Sequence, residues 1–155
     1  MPDTGDQAAP TRPPDNTIFA QWQGGRRFDF GREGGPVARA DGDAATGPSP
    51  VDTLLGALAS CASIDVVDIL AKRRTPVATL EVKVEAERAN SAPRRLTHVR
   101  LAFRITGEGI EREQAERAIE LSITKYCSVR DSLDPELPIE WTLALNDSPR
   151  LRTSG

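Results

Sequence analysis

The spacing of hydrophobic residues changes several times along the chain, and each change marks a predicted element. Between residues 18 and 39, short runs in which apolar and polar residues alternate, such as RFDF at 27–30, are separated by the glycine-containing stretches QGGRR and GREGGP. A period of two is typical of half-buried strands, and such glycines are typical of turns. This part of the chain is therefore predicted to form an antiparallel meander of short strands.

A long helix is predicted to begin at Ser49 and Pro50. Serine at the N-cap, proline at the first helical position and an acid, Asp52, near the positive end of the helix dipole form a strong helix start. Hydrophobic residues then recur at steps of three and four, and the other face is small enough to pack closely, which predicts a central, buried helix. The basic residues at 72–74, followed by Pro76, suit its C-terminus. The recurring hydrophobic residues are Val51, Leu54, Leu55, Leu58, Cys61 and Ala62.

The second half of the chain alternates strand and helix patterns. Residues 80–87 and 99–105 have a period of two and are separated by the turn sequence ANSAPRR, which predicts two half-buried strands. A helical pattern follows and is expected to reach Cys127 or to end just short of it, and residues 139–145 indicate a last strand. The order of elements predicts the α+β class rather than a regular βαβ alternation.

Composition narrows the partners and the compartment. The chain has 155 residues and a formal net charge of −3, and it has no basic stripe interleaved with aromatic residues, so nucleic acid is not expected as a partner. No secretory signal pattern is present at the N-terminus, and the longest uncharged apolar segment, 53–64, is shorter than a membrane span. We therefore expect a cytoplasmic protein without a membrane partner.

The domain organisation is predicted from composition. The first residues carry four prolines and few apolar side chains, so residues 1–17 are expected to form a disordered arm. Residues 18–147 are predicted to form one domain, because a chain of this size can bury a sizeable core, and residues 148–155 are expected to form a C-terminal tail.

The chain contains two cysteines, Cys61 and Cys127, each predicted on the apolar side of its own helix. If the two helices pack face to face, the sulfurs can come within disulfide geometry, which needs Cα atoms about 4.4 to 6.8 Å apart. In a reducing compartment such a disulfide would be transient. The alternative is that both cysteines are inert residues of the core, because free cysteine is among the most buried residue types.

Other chemistries have weaker support. The single histidine, His98, lies on the polar side of its predicted strand, so neither a Cys-His nucleophile nor a metal site is expected, and no cofactor is predicted. A reactive Cys61 would need a nearby cation, because it is far from a helix N-terminus. The meander offers Arg39, which the chain brings nearest to the central helix, and also Arg26, Arg27 and Arg32; the alternative for Arg39 is a solvated charge on an edge strand.

Two segments resemble a known family. PSPVDTLLGALASCASIDVVDIL and KYCSVRDSL are similar to the two cysteine motifs of the OsmC/Ohr family of thiol-dependent hydroperoxide reductases, and the pattern is most similar to the OsmC-like branch. The likeness extends from about residue 22 to residue 145. It implies an α+β OsmC-like fold with an antiparallel sheet around a long buried central helix. It also implies an intertwined homodimer with active sites at the interface.

The resemblance also implies roles for individual residues. The first cysteine of the family falls on Cys61 as the peroxidatic thiolate, and the second falls on Cys127 as the resolving thiol. The activating arginine falls on Arg39, and Asp52 replaces the usual glutamate nine residues before the first cysteine. The implied substrate is an organic hydroperoxide, with hydrogen peroxide also accepted, and an external dithiol is the implied reductant.

A second hypothesis keeps the fold but not the peroxidase reaction. A non-catalytic member could act as a thiol redox sensor, or it could bind a small molecule or an acyl chain beside two buried cysteines. Addition of peroxide separates the peroxidase, which loses two thiols per chain, from a binding module, which loses none. A sensor would also react, but it would turn over poorly with any dithiol.

Overall fold

A computed structural model describes residues 12–147. The predicted tail at 148–155 and most of the predicted arm at 1–17 lie outside the described residues. The chain divides into a first unit that ends at Thr53 and a second unit that begins at Leu54. The order of elements is three strands, a long helix, two strands, a helical segment and a last strand, which confirms the predicted α+β class.

The first unit contains the predicted antiparallel meander. Its strands are β1 (Phe19–Trp22), β2 (Arg27–Gly31) and β3 (Val37–Asp41), paired in the order β1-β2-β3. The β2–β3 turn is centred on Gly34, whose φ of 70° lies in the left-handed region that favours glycine. The alternation of apolar and polar residues therefore predicted these strands correctly.

The long helix α1 (Pro50–Lys72) begins where it was predicted. The Ser49 Oγ accepts a hydrogen bond of 3.1 Å from the backbone N–H of Asp52, and the Asp52 carboxylate accepts one of 3.1 Å from the N–H of Ser49. This reciprocal pair is a capping box, which satisfies two N–H groups at the helix start.

The prediction that α1 is buried on all sides was wrong. Only one stripe is buried, formed by Leu58, Ala62, Val66 and Leu70, while Ile64 is 61% exposed. The second unit packs on a single face of the helix, so no residue of the described range 12–147 covers Ile64 on the opposite face. By length and composition alone α1 could also cross a membrane, although core helices of soluble proteins pass the same test.

The second unit contains β4 (Thr79–Arg88), β5 (Leu96–Thr106) and β6 (Ile139–Leu145) in the order β4-β5-β6. Strands β4 and β5 are antiparallel, but β6 runs parallel to β5, so the sheet is not purely antiparallel as expected. The reason is the helical crossover between β5 and β6, since a parallel pair requires such a connection. The buried hydrophobic residues that form the core of the second unit are Leu58, Ala62, Val66, Leu70, Val99, Leu101, Phe103, Ile105, Ile110, Ala115, Ala118, Ile119, Cys127 and Leu137.

The crossover differs from the single helix that was predicted. Helix α2 (Arg112–Leu121) continues into a π-helical turn (Ser122–Tyr126), and a short helix α3 (Ser128–Asp131) follows. Cys127 lies between the π turn and α3 and not on a helix face. Its backbone N–H donates to the Ser122 carbonyl, 2.8 Å away, which closes the π turn.

Candidate functional site

Cys61 lies in the interior of α1. Its side chain is partly buried and packs against the core of the second unit, and the next residue, Ala62, is completely buried. A sulfur in the interior of a helix has no free backbone N–H groups around it, and it gains little from the helix dipole, which acts on the first and last turns. Any stabilisation of a Cys61 thiolate must therefore come from other side chains.

Cys127 has different surroundings. It is 3% exposed, and its sulfur accepts a hydrogen bond of 3.4 Å from the backbone N–H of Arg130 at the start of α3. Burial raises the pKa of Cys127, and a side-chain hydrogen bond with Cys61 raises it further, while the Arg130 N–H opposes both effects. Because burial is the largest of these effects, Cys127 keeps its proton at neutral pH.

Cys61 and Cys127 contribute to the same hydrophobic core, and both are free thiols. The Cys61 side chain is also one of the causes of the raised pKa of Cys127, so the two thiols interact. The two cysteines are 66 positions apart in sequence, and the chain between them contains β4, β5 and α2. A protonated Cys127 can donate its S–H to the Cys61 sulfur, so the pair can share one proton and can close to a disulfide when oxidised.

A cleft of about 390 Å³ opens beside Cys127. Its walls include the apolar side chains of Ile123, Leu133 and Ile139, together with Arg130. The Arg130 guanidinium donates three hydrogen bonds, of 3.0 to 3.2 Å, to backbone carbonyls at 134, 135 and 137. This cation therefore fixes the loop before β6.

Arg39 lies on β3 of the first unit and forms a two-pronged ion pair with Asp29 on β2. The Nε to Oδ1 distance is 2.7 Å, and the second guanidinium nitrogen lies 3.0 Å from Oδ2. The pairing raises the pKa of Arg39 and lowers that of Asp29, mainly through the hydrogen bonds between them. Two-pronged pairing fixes the plane of a guanidinium, so Asp29 orients Arg39.

Asp52 has another partner. Its carboxylate accepts the Ser49 N–H of the capping box, and Arg39 bonds to Asp29. Sequence reasoning missed Asp29, although Asp29 and Arg39 are equidistant from Gly34 and the turn pairs them directly. The sequence of the meander predicts this pairing only when the register of the β2–β3 hairpin is known.

His98 was expected to face solvent on the polar side of its strand. Its side chain is 23% exposed, and Nε2 lies 3.0 Å from a carboxylate oxygen of Glu140 on the neighbouring strand β6. The imidazole therefore belongs to a cross-strand pair on the second sheet, where such pairs stabilise the pairing of strands.

The fold and the site define an α+β protein with two free thiols at its core, and comparison with known proteins gives the family. The family model described as OsmC-like protein matches residues 41–142, and the chain belongs to this family. The match contains both cysteines and Asp52. It begins two residues after Arg39, so the role implied for Arg39 has no support from this match.

Individual proteins are also similar to this chain in sequence or in fold. Protein YhfA of Escherichia coli strain K12 is 44% identical over 92 residues, which cover 59% of this chain and 69% of YhfA. A hypothetical protein from Aquifex aeolicus VF5 superposes with a TM-score of 0.71 and 25% identity over 84% of this chain and 97% of that one. The organic hydroperoxide resistance protein OhrB of Bacillus subtilis shares the fold, with a TM-score of 0.56 and 12% identity over 83% of this chain and 96% of its own.

Proposed function

We propose that this protein reduces organic hydroperoxides with a pair of thiols. In the first step the Cys61 thiolate attacks one oxygen of the peroxide, an S–O bond forms, and the O–O bond breaks. The sulfur loses two electrons and becomes a sulfenic acid, while the leaving alkoxide takes a proton and becomes an alcohol. The observation that supports this proposal best is the presence of two interacting free thiols in one core of an OsmC-like protein.

In the second step the Cys127 thiol attacks the sulfenic sulfur of Cys61. A disulfide forms and one water molecule leaves, and an external dithiol then reduces the disulfide and becomes a disulfide itself. The partly buried Cys61 suits the first step, because it is the more accessible of the two thiols, and the buried Cys127 suits the second, because its only task is to meet Cys61.

Ionisation of Cys61 alone does not account for a fast attack on the peroxide. A free thiol is already a few per cent thiolate near neutral pH, so complete ionisation raises the reactive fraction by only about ten- to thirtyfold. We propose that Arg39 supplies the rest by stabilising the charge that develops on the leaving oxygen, an effect typically worth a few kcal/mol. Asp29 would hold the guanidinium for this task, and the role implied for Asp52 remains a prediction.

The direct test counts free thiols before and after one equivalent of cumene hydroperoxide. Loss of two thiols per chain, with one equivalent of alcohol formed, would support the peroxidase. Loss of none would support a binding module of the same fold. A sensor would also lose thiols, but it would turn over poorly with dithiothreitol as the reductant.

Single-cysteine variants separate the two roles. Cys61→Ser should abolish peroxide consumption, whereas Cys127→Ser should consume one equivalent and leave a sulfenic acid that dimedone traps. Mass spectrometry of the dimedone adduct measures this difference. Equal residual activity in the two variants would reverse or remove the assigned roles.

We also propose that two copies of the chain form a homodimer. The outer face of α1 leaves Ile64 61% and Val67 40% exposed, and a second copy is the occupant that would cover these apolar side chains. Ile64→Glu should raise the dissociation constant at least about tenfold in sedimentation velocity, because a carboxylate would be buried there. Ser91→Glu, in the exposed β4–β5 turn, is the matched control; a monomeric wild type would contradict the proposal.

A further inference from the structure

Ser122 lies between the two cysteine segments and bonds to both. It is completely buried, at 0% exposure. Its hydroxyl faces the Ala62 carbonyl at 3.0 Å and the Asp65 carboxylate at 2.9 Å, both on α1. Its own carbonyl accepts the Cys127 N–H at 2.8 Å. A single residue therefore connects the backbone next to Cys61 with the backbone of Cys127.

The local geometry makes this connection rigid. Ser122 begins the π turn, so its carbonyl accepts from a residue five positions later and not four. The hydroxyl has one proton and two acceptors, and the bond to a carboxylate is the stronger kind. Asp65 lies one turn after Cys61 on α1, so the anchor of the π turn is on the same stretch of helix as the reactive sulfur.

We propose that Ser122 and Asp65 are positioning residues that hold Cys127 against Cys61 for disulfide closure. This inference rests on the proposed role of Cys127 as the resolving thiol. Without the hydroxyl bond the π turn can shift along α1, and the effective concentration of one thiol at the other falls. The first step, attack on peroxide by Cys61, does not use this connection and keeps its rate.

The test measures the equilibrium of the thiol pair in glutathione buffers. Two protein thiols and one oxidised glutathione give one protein disulfide and two reduced glutathiones, so the midpoint reports the effective concentration directly. Ser122→Ala should lower that concentration about tenfold, which is about 30 mV for a two-electron couple. Asp65→Asn keeps an acceptor but loses the charge, so its shift should be smaller and in the same direction.

Two control variants each remove a serine hydroxyl hydrogen bond that does not link the two cysteine segments. Ser60→Ala removes a bond of 3.2 Å to the Ala57 carbonyl within α1, and Ser132→Ala removes one of 2.8 Å to the Ser128 carbonyl beside α3. Neither should move the midpoint. Ser122→Thr keeps the hydroxyl and should recover part of the loss.

An unchanged midpoint in Ser122→Ala, or equal shifts in the controls, would overturn the proposal. If Ser122→Ala does not fold, Asp65→Ala has the same expectation, and an unchanged midpoint there overturns it. This result is separable from the peroxidase proposal. A wild type that forms the disulfide with oxidised glutathione but not with cumene hydroperoxide would refute the peroxidase, while the effect of Ser122 could still be measured.

Discussion

The second unit is stabilised by apolar burial and the first by charged groups. In the second unit, side chains such as Phe103 are 1% exposed and belong to one contiguous core. Among the described residues of the first unit only Ala40 and Asp41 are buried, and Trp22 and Val37 are each 65% exposed. The meander therefore has almost no hydrophobic core of its own.

Ionic and hydrogen-bonded contacts take the place of that core. Arg39 pairs with Asp29, and the Asp41 carboxylate accepts two hydrogen bonds from Thr46 and one from the N–H of Asp43. Burial favours neutral groups and penalises charges. The first unit accordingly keeps the Arg39–Asp29 ion pair partly exposed, whereas the second unit buries the neutral Cys127 thiol.

The prediction with the largest expected effect compares the loss of one phenylalanine from each unit. Phe103→Ala should lower the free energy of unfolding by about 3–5 kcal/mol, because it leaves a cavity in a closed core. Phe28→Ala removes a side chain that is 42% exposed, so the loss should be below about 1.5 kcal/mol. Urea denaturation followed by circular dichroism measures both free energies of unfolding. Equal losses in the two variants at every protein concentration would contradict the difference between the units.

A second prediction concerns the cation of the first unit. Arg39→Ala should slow the attack of Cys61 on cumene hydroperoxide about 100-fold, because the leaving oxygen loses its charge partner. Arg100→Ala is the matched control, since Arg100 also pairs with a carboxylate on the neighbouring strand, at 3.0 Å from Glu87. Stopped-flow single turnovers measure both rates. A minor loss in Arg39→Ala would move the role to another arginine of the meander.

A third prediction uses the raised pKa of Cys127. Burial keeps this thiol protonated, so closure of the disulfide should accelerate with pH without a plateau up to pH 9, the ordinary pKa of the thiol, and should approach tenfold per unit. Competition between dimedone and closure measures the rate, and trapping should fall as pH rises. A plateau below pH 8 would show that burial does not control this thiol.

The smallest effect is expected from Asp41 at low pH. Backbone N–H groups of Asp43 and Thr46 lower the pKa of Asp41 to about 2, against 3.8 ordinarily. Since the folded pKa is the lower one, this stability is fully present above pH 4 and is lost as pH falls toward 2. The urea midpoint of Asp41→Asn, followed through Trp22 fluorescence, should therefore vary less between pH 5 and 2 than that of wild type. Asp43→Asn should retain the wild-type dependence.

Local features of the fold were predictable from sequence. The start of α1 depends on groups within three residues, so Ser49 and Asp52 indicated it directly. Strands β4 and β5 followed from their period of two, because one face of their sheet is more buried than the other. The π turn was missed because its five-residue hydrogen bond leaves no distinct pattern of apolar residues, and it decides where Cys127 lies.

The sequence by itself determined the class of the fold, the two cysteines as the chemical candidates and the family they resemble, because these depend on periodicity and on motifs. Only the tertiary structure decided that β6 runs parallel to β5 and that Ser122 connects the two thiol segments. Such contacts join residues far apart in sequence, and their geometry is set by the packing of whole elements.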